Sequence, residues 1–429
     1  MNKARSNCAA ILLALTCSCN LVGLQGCATE PVTRPVPVVR TEPTVVPGMP
    51  AEVRSWGDDP AGAFRDWLEL PEDELAVRCA GVMDQPHNYL VISSGGVDGA
   101  FGAGLLVGWT AAGTRPAFQL VTGVSAGAMI APFAFLGPAY DGVLQEIYSA
   151  YSSKDLVERR GMFEVLEGGA VMDTAPLRRL IGRYLGDEQV AQIASESRKG
   201  RKLLIGTTSL NTGRSVVWDL TQIAASGAPN ARQLIGDLIL ASASIPGVFP
   251  PVRISVEAAG ARYDEIHVDG GVTAQLFLGP AGLDWKRVAE RLRVQGQPQV
   301  YLIRNARSYP QWTAVRTRLA PLLERPFSSL SRDPNGLPEW DAVEPGVSSI
   351  LARSIESMLR TRGFNDAVRL YLSSQSDQLG FNLAHIPGDF TVGSKEFYDR
   401  NYMQGLFDRG FVMAKGGYPW LHSDAAGHE

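Results

Sequence analysis

An α/β fold with a mainly parallel central sheet is the prediction for this 429-residue chain. Three observations make it. Apolar runs of strand length alternate with helix-compatible stretches over about 300 residues, the order that βαβ units produce. One run, Phe118 to Val121, leads into Val121-Thr122-Gly123-Val124-Ser125-Ala126-Gly127-Ala128-Met129 and then a small-residue helix reaching Phe135. Another, Tyr89 to Ile92, ends in Ser93-Ser94-Gly95-Gly96-Val97-Asp98-Gly99 and opens a second small-residue helix, Ala100 to Ala112. The run Tyr89 to Ile92, apolar at every position, fits a strand covered on both faces.

The composition, 45% hydrophobic and 20% charged with a net charge of -4, is that of an ordinary globular body. Such a chain buries one large core or two modest ones, and its charge offers no electrostatic case for nucleic acid. Of the five cysteines, Cys8, Cys17, Cys19 and Cys27 lie at the start and only Cys79 in the body. Lys3 and Arg5 precede an apolar stretch, Ala9 to Leu15, and Leu24-Gln25-Gly26-Cys27 resembles a bacterial lipobox. Cys27 is therefore the expected lipidation site, with residues 1–26 removed as a signal peptide. An ordinary cleaved signal peptide and an N-terminal membrane anchor are the alternatives. Because Ala28 rather than aspartate follows the cysteine, the resemblance to sorted lipoproteins implies the outer membrane if the host has two. No other stretch has the uninterrupted apolar length of a spanning helix, and with Cys27 lipidated the body can form no internal disulfide.

Pro31, Pro35, Pro37, Pro43, Pro47 and Pro50 make 28–50 an extended spacer, part of a lipidated N-terminus and linker over 27–60. Phe64, Trp67, Leu68, Leu70, Leu75 and Val77 fall at helical spacing, broken at Pro71, and mark a helical extension over 61–87. The core follows over 88–275. Behind the Ser125 helix the pattern predicts a long helical stretch from about Tyr140 to Arg160 and a polar loop region to Gly200. Strands Leu203 to Thr208 and Ser215 to Leu220 flank an Asn211-Thr212-Gly213 turn. A helix, Gln233 to Ala243, then runs into the proline-rich turn Ser244-Ile245-Pro246-Gly247, and a strand, Ile266 to Val268, ends in Asp269-Gly270-Gly271. Residues 276–429 complete or cover this core. They add the strand Val300 to Ile303 and two amphipathic helices, Ser348 to Arg360 and Phe364 to Leu379, which either pack on the sheet or act as a lid.

The chemistry starts at Ser125. A serine on a sharp strand-to-helix turn takes a strained backbone conformation, and Gly123 and Gly127 relieve the clashes that the turn creates with neighbouring chain. Consecutive glycines after the Tyr89 strand leave backbone N–H groups aimed at one spot, reinforced by the helix dipole, and suit a phosphate or an oxyanion. No Gly-Lys-Ser/Thr follows, and Val107 stands where the third glycine of a dinucleotide fingerprint belongs, so the oxyanion reading gains. The serine needs a base. His87 lies in a turn beside Pro86, and His422 and His428 sit in a polar tail; a Ser-Asp-His order would need His385 after Asp269 or Asp219. Asp269 is the better candidate: it ends an apolar strand, two glycines leave its carboxylate room, and burial would raise its pKa. His267, two residues earlier on the same strand face, is a further contender.

The glycine loop, Gly123-Val124-Ser125-Ala126-Gly127 and Asp269-Gly270-Gly271 stand in one order, with Ala241-Ser242-Ala243-Ser244-Ile245-Pro246 and Phe249-Pro250 ahead of the acid. Together they resemble the patatin-like phospholipases over roughly Asn88 to Val272. That resemblance implies a three-layer α/β/α hydrolase with Ser125 as nucleophile, Asp269 as base of a Ser-Asp dyad, and an oxyanion hole from the amides around Gly95, Gly96 and Val97. Two positions depart from the family pattern: Ser94 replaces the first glycine of its Gly-x-Gly-x-x-Gly, and Asp98 replaces its basic residue. An acidic group there would oppose an oxyanion, so Asp98 is expected to point away. The implied activity is cleavage of carboxylic esters in phospholipids, lysophospholipids or other acyl lipids through an acyl-enzyme, with no cofactor and no metal. The expected partners are the acyl-lipid or ester substrate and a membrane reached through the lipid anchor. A general esterase on small esters, and a catalytically silent acyl-binding envelope lipoprotein, are the rival readings.

Overall fold

In strand β2 (Asn88–Ile92) the side chains of Leu90 and Ile92 join one cluster of buried residues, while Tyr89 and Val91 join another. Alternating residues therefore face two cores, which requires helices on both faces of the sheet. The computed structural model describes residues 34, 36, 44–159, 170–307, 346–390, 392–394, 396 and 398–422. The leader, Cys27, His428 and most of the proline-rich spacer lie outside the described residues.

Beside β2 the strands are β1 (Arg54–Trp56), β3 (Leu120–Val124), β4 (Glu158–Arg159), β5 (Met172–Asp173), β6 (Lys202–Ser209), β7 (Arg214–Asp219), β8 (Val252–Ala258), β9 (Ala261–Asp269), β10 (Gln299–Arg307), β11 (Gly380–Ile386) and β12 (Leu421–His422). Apart from the small β4–β5 ribbon they form a ten-stranded sheet in the order β1-β7-β6-β3-β2-β10-β11-β12, with β9 pairing to β6 and β8. The centre, β6-β3-β2-β10-β11, is parallel, and the pairs at either edge are antiparallel.

The helices are α1 (Arg65–Glu69), α2 (Glu72–Arg78), α3 (Gly99–Ala111), α4 (Ala126–Leu136), α5 (Asp141–Ser149), α6 (Ser153–Leu156), α7 (Ala175–Tyr184), α8 (Asp187–Ser197), α9 (Leu220–Ala225), α10 (Ala231–Ser242), α11 (Trp285–Arg291), α12 (Val347–Ser376) and α13 (Arg400–Lys415). One face of the sheet is covered by α3, α4, α5, α7, α8, α10 and α13, through residues such as Phe101, Ile130, Leu238 and Leu406. The other is covered by α1, α2, α11 and α12, through Trp67, Leu75, Val288 and Leu370. The result is three layers, α/β/α. No helix among the described residues is long and apolar enough to cross a membrane.

Several local expectations are corrected. The spacer does not extend to Pro50: Val45 exchanges backbone hydrogen bonds with Glu257 at 3.0 and 2.7 Å, and Val46 and Met49 are buried in the core. The stretch from Tyr140 is not one helix, because Ser152 and Asp155 form a capping box that starts α6 anew. The polar region before Gly200 contains α7 and α8, whose apolar stripe, Leu177, Leu180, Ile181 and Ile193, is spread among charged residues. The two C-terminal amphipathic helices are one, α12, which runs through Gly363. The strand before Asp269 is the second arm of a hairpin, β8–β9, turned at Ala259 and Gly260, both with positive φ.

Candidate active site

Parallel strands that are adjacent in a sheet end at the same edge, and two of the sequence motifs meet there. Ile92 of β2 pairs with Gly123 of β3, so the glycine loop after β2 and the serine turn after β3 emerge side by side. Ser125 follows β3 with φ 55° and ψ -118°, a left-handed conformation that costs a non-glycine residue steric strain. It directly precedes α4, so its side chain stands at a helix N-terminus. The tightness of the turn is visible in its glycines: a Cβ on Gly123 would strike the carbonyl of Gly127, and one on Gly127 would strike that of Ile92.

The third motif arrives from β9, which pairs with β6, the strand on the other side of β3. Asp269 ends β9 opposite Thr207 of β6, and the Ser125 hydroxyl stands within hydrogen-bonding reach of its carboxylate. Gly271 N–H donates to Asp269 Oδ1 at 2.7 Å, which orients the carboxylate. Ser125 and Asp269 are 4% and 5% exposed, so each is almost cut off from bulk water. Burial raises the Asp269 pKa from the ordinary 3.8 to about 6, against the pull of the hydrogen bonds from Ser125 and Gly271. Such a group remains an anion at neutral pH, yet is a stronger base than an exposed carboxylate.

The sequence Ala241 to Pro246 has a mechanical role that the motif reading does not assign. Ser242 Oγ accepts from Ser125 N–H at 2.9 Å and donates to Gly206 O at 2.7 Å, bracing the strained turn against β6. The Ser244 carbonyl accepts from Asp269 N–H at 2.9 Å. One short stretch thus holds both members of the pair.

The glycine loop is held from β10. Asn305 N–H donates to Ser93 Oγ at 2.9 Å, its Nδ2 donates to Ser93 O at 3.0 Å, and its Oδ1 accepts from Gly102 N–H at 3.1 Å. Gly96 to Asp98 form a 3-10 turn that runs straight into α3. The first amides of a helical segment have no carbonyl one turn earlier, which leaves the N–H groups of Gly96 and Val97 available to an anion. Asp98 lines the cavity at Ser125, and Tyr402 OH donates to its Oδ1 at 2.6 Å.

Two cavities meet at Ser125, both also lined by Gly96 and Ile245. The wider, of about 410 Å³, takes in Asp269, Gly95 and Val97 and is also lined by Arg304, Leu359 and Glu396. The narrower, of about 40 Å³, is an apolar slot past Met129, Ile147 and Leu180, which also line a further space of about 20 Å³ beside Tyr184.

His87, His267 and His385 are occupied elsewhere. His87 bonds the Tyr89 hydroxyl at 2.8 Å and the Val82 carbonyl at 2.6 Å, and burial lowers its pKa to about 4. His385 meets the Ile386 carbonyl at 3.0 Å, on β11. His267, the contender nearest the motif, faces Thr207 Oγ1 and Glu265 Oε2, each at 3.0 Å. Asp219 caps α9 and pairs with Lys202 at 3.3 Å.

Residues 90–281 match the family model of the patatin-like phospholipases, a similarity that supports lipid hydrolase or esterase activity in general. No curated protein matches the chain. Among the solved structures that match it is VipD from Legionella pneumophila, at 13% identity, covering 78% of this chain and 67% of that one with a TM-score of 0.32.

Proposed function

We propose that the chain is a serine acyl hydrolase that cleaves carboxylic esters of phospholipids, lysophospholipids or other acyl lipids with a Ser125–Asp269 dyad. The observation that carries this reading is the buried Asp269 carboxylate beside the strained Ser125 hydroxyl. In the first step Ser125 Oγ bonds to the acyl carbon and its proton passes to Asp269. The carbonyl oxygen becomes an oxyanion received by the amides of Gly95, Gly96 and Val97. The C–O bond to the alcohol breaks, and that oxygen leaves with the proton from Asp269. Water then attacks the acyl-enzyme, gives its proton to Asp269, and the fatty acid departs as Ser125 regains its hydrogen. The wide cavity at Ser125, about 410 Å³, has the size of a ligand pocket and suits an acyl chain, whereas the slot of about 40 Å³ is too small for one.

A fluorophosphonate probe tests the reading. It should label the peptide containing Ser125 and no other, and Ser125→Ala should abolish both labelling and hydrolysis of 4-nitrophenyl esters from butyrate to palmitate. Equal hydrolysis by the wild type and Ser125→Ala would remove the dyad from consideration. A preference for the longer esters favours an acyl lipid over a small soluble ester as substrate.

The chain's place in the cell is part of the proposal: Cys27 carries lipid and tethers the hydrolase to the cell envelope, at the outer membrane in a two-membrane host. In cells fed labelled palmitate, the label should enter the wild-type protein and be lost in Cys27→Ser. Equal incorporation in both would rule Cys27 out as the acceptor.

A further inference from the structure

The motifs of the catalytic pair lie within residues 90–281, but α13 lies outside that stretch and reaches the same site. It reaches it because two helices come into backbone contact. A Cβ on Gly104 of α3 would strike the Phe407 carbonyl, one on Gly108 would strike that of Phe411, and one on Gly410 of α13 would strike that of Phe101. Small residues on both sides let the axes close until only backbone separates them. The first turn of α13 is fixed as well. Asp399 caps it by accepting from Asn401 and Tyr402 N–H at 3.0 and 3.2 Å. Just before the cap, Tyr398 N–H donates to Ser153 Oγ at 2.9 Å and Ser153 N–H donates to Tyr398 O at 3.0 Å. The Tyr402 ring therefore leaves a rigid platform, and it is 3% exposed.

Its hydroxyl ends on Asp98, at 2.6 Å, across 304 positions of sequence. Asp98 is fully buried, closes the 3-10 turn with its N–H on the Gly95 carbonyl at 3.0 Å, and lines the wide cavity. A carboxylate in that turn stands beside the amides that receive the oxyanion. Turned toward them, it would compete for the donors and repel the developing charge.

We propose that Tyr402 is a positioning residue of the active site: by binding Asp98 from the α13 side, it keeps that carboxylate off the oxyanion position and the Gly96 and Val97 amides in line. The proposal rests on the hydrolase reading above. Its effect belongs to the transition state, where the negative charge appears, so it acts on kcat rather than on substrate binding.

The test is a mutant cycle in the full chain with 4-nitrophenyl octanoate as probe. Tyr402→Phe should lower kcat about tenfold or more with KM within about twofold, since only a hydroxyl is removed. In an Asp98→Asn background, where no charge remains to be held away, adding Tyr402→Phe should change kcat less than about threefold. A Tyr402→Phe enzyme with wild-type kcat overturns the proposal. So does an equal loss from Tyr402→Phe in both backgrounds, which would reduce the bond to a structural one. Should Tyr402→Phe fail to fold, Asp98→Asn alone decides: with the native carboxylate already held off the oxyanion position, kcat should stay within about threefold of the wild type, and a larger rise or a larger loss overturns the proposal. A wild type inactive on every ester would sink the hydrolase reading and this inference with it. An active wild type whose variants behave alike would sink the inference only.

Discussion

Asp269 carries a conflict between function and stability. The folded protein holds this carboxyl at a pKa of about 6, against 3.8 ordinarily, because burial disfavours its charge more than its hydrogen bonds restore it. The folded chain therefore binds the proton more tightly than the unfolded chain does. Its contribution to stability is complete below the unfolded value and is lost as pH rises through about 6. By linkage a difference of that size amounts to about 3 kcal/mol at most at pH 8. Catalysis needs the opposite state, the anion, so the hydrolysis rate of the wild type should climb through about pH 6. Asp269→Asn keeps an oxygen for Gly271 N–H but never ionises. It should be inactive at every pH, yet more resistant to urea than the wild type at pH 8, with the advantage vanishing toward pH 4. A variant less stable than wild type at pH 8 would mean that the hydrogen bonds to the carboxylate outweigh its desolvation.

Elements that impose a local geometric demand are legible in the sequence, and those that rely on distant partners are not. A strand-to-helix turn with no room for a Cβ writes Gly123 and Gly127 at fixed offsets from Ser125, and a loop of exposed amides writes Gly95 and Gly96 after an apolar strand. Nothing local marks Ser242 as the brace of that turn, Asn305 as the clasp of the glycine loop, or Tyr402 as the anchor of Asp98. Their partners are 117, 212 and 304 positions away. Helices α7 and α8 show a related limit: charged residues are as numerous in them as buried ones, so the segment resembles a loop until its narrow stripe meets the core. By contrast, the β8 strand carried a readable signal. Val252, Ile254, Val256 and Ala258 are buried and alternate with Arg253, Ser255 and Glu257, the period of a strand covered on one face. The continuous apolar run Tyr89 to Ile92 of β2 is clear for the opposite reason, since helices cover both faces of the sheet there.

At the scale of the whole molecule, the N-terminal edge is tied to the strand that bears the proposed base. Arg54 of β1 makes two contacts of 3.1 Å with the Glu265 carboxylate of β9, with the side chains 5% and 4% exposed. Glu265 also meets His267 Nε2 at 3.0 Å, His267 Nδ1 meets Thr207 Oγ1 at 3.0 Å, and Trp218 Nε1–H donates to that same oxygen at 2.7 Å. Four strands, β1, β6, β7 and β9, are joined in one buried network. Burial pushes the Glu265 carboxyl up, but the His267 hydrogen bond and the Arg54 charge outweigh it and hold the group below its ordinary pKa. Burial likewise holds the His267 pKa down, so its neutral form is favoured and Arg54 is the fixed cation of the network. Removing one partner of such a pair costs more than removing both, because a stranded charge cannot recover its lost water. Arg54→Met should therefore lower unfolding stability at pH 7 by about 3 kcal/mol or more, measured by urea denaturation. Arg54→Met with Glu265→Gln should recover most of that loss, because the strands then share a neutral interior. If the double variant is as unstable as the single, the β1–β9 tie works through side-chain packing rather than through charge.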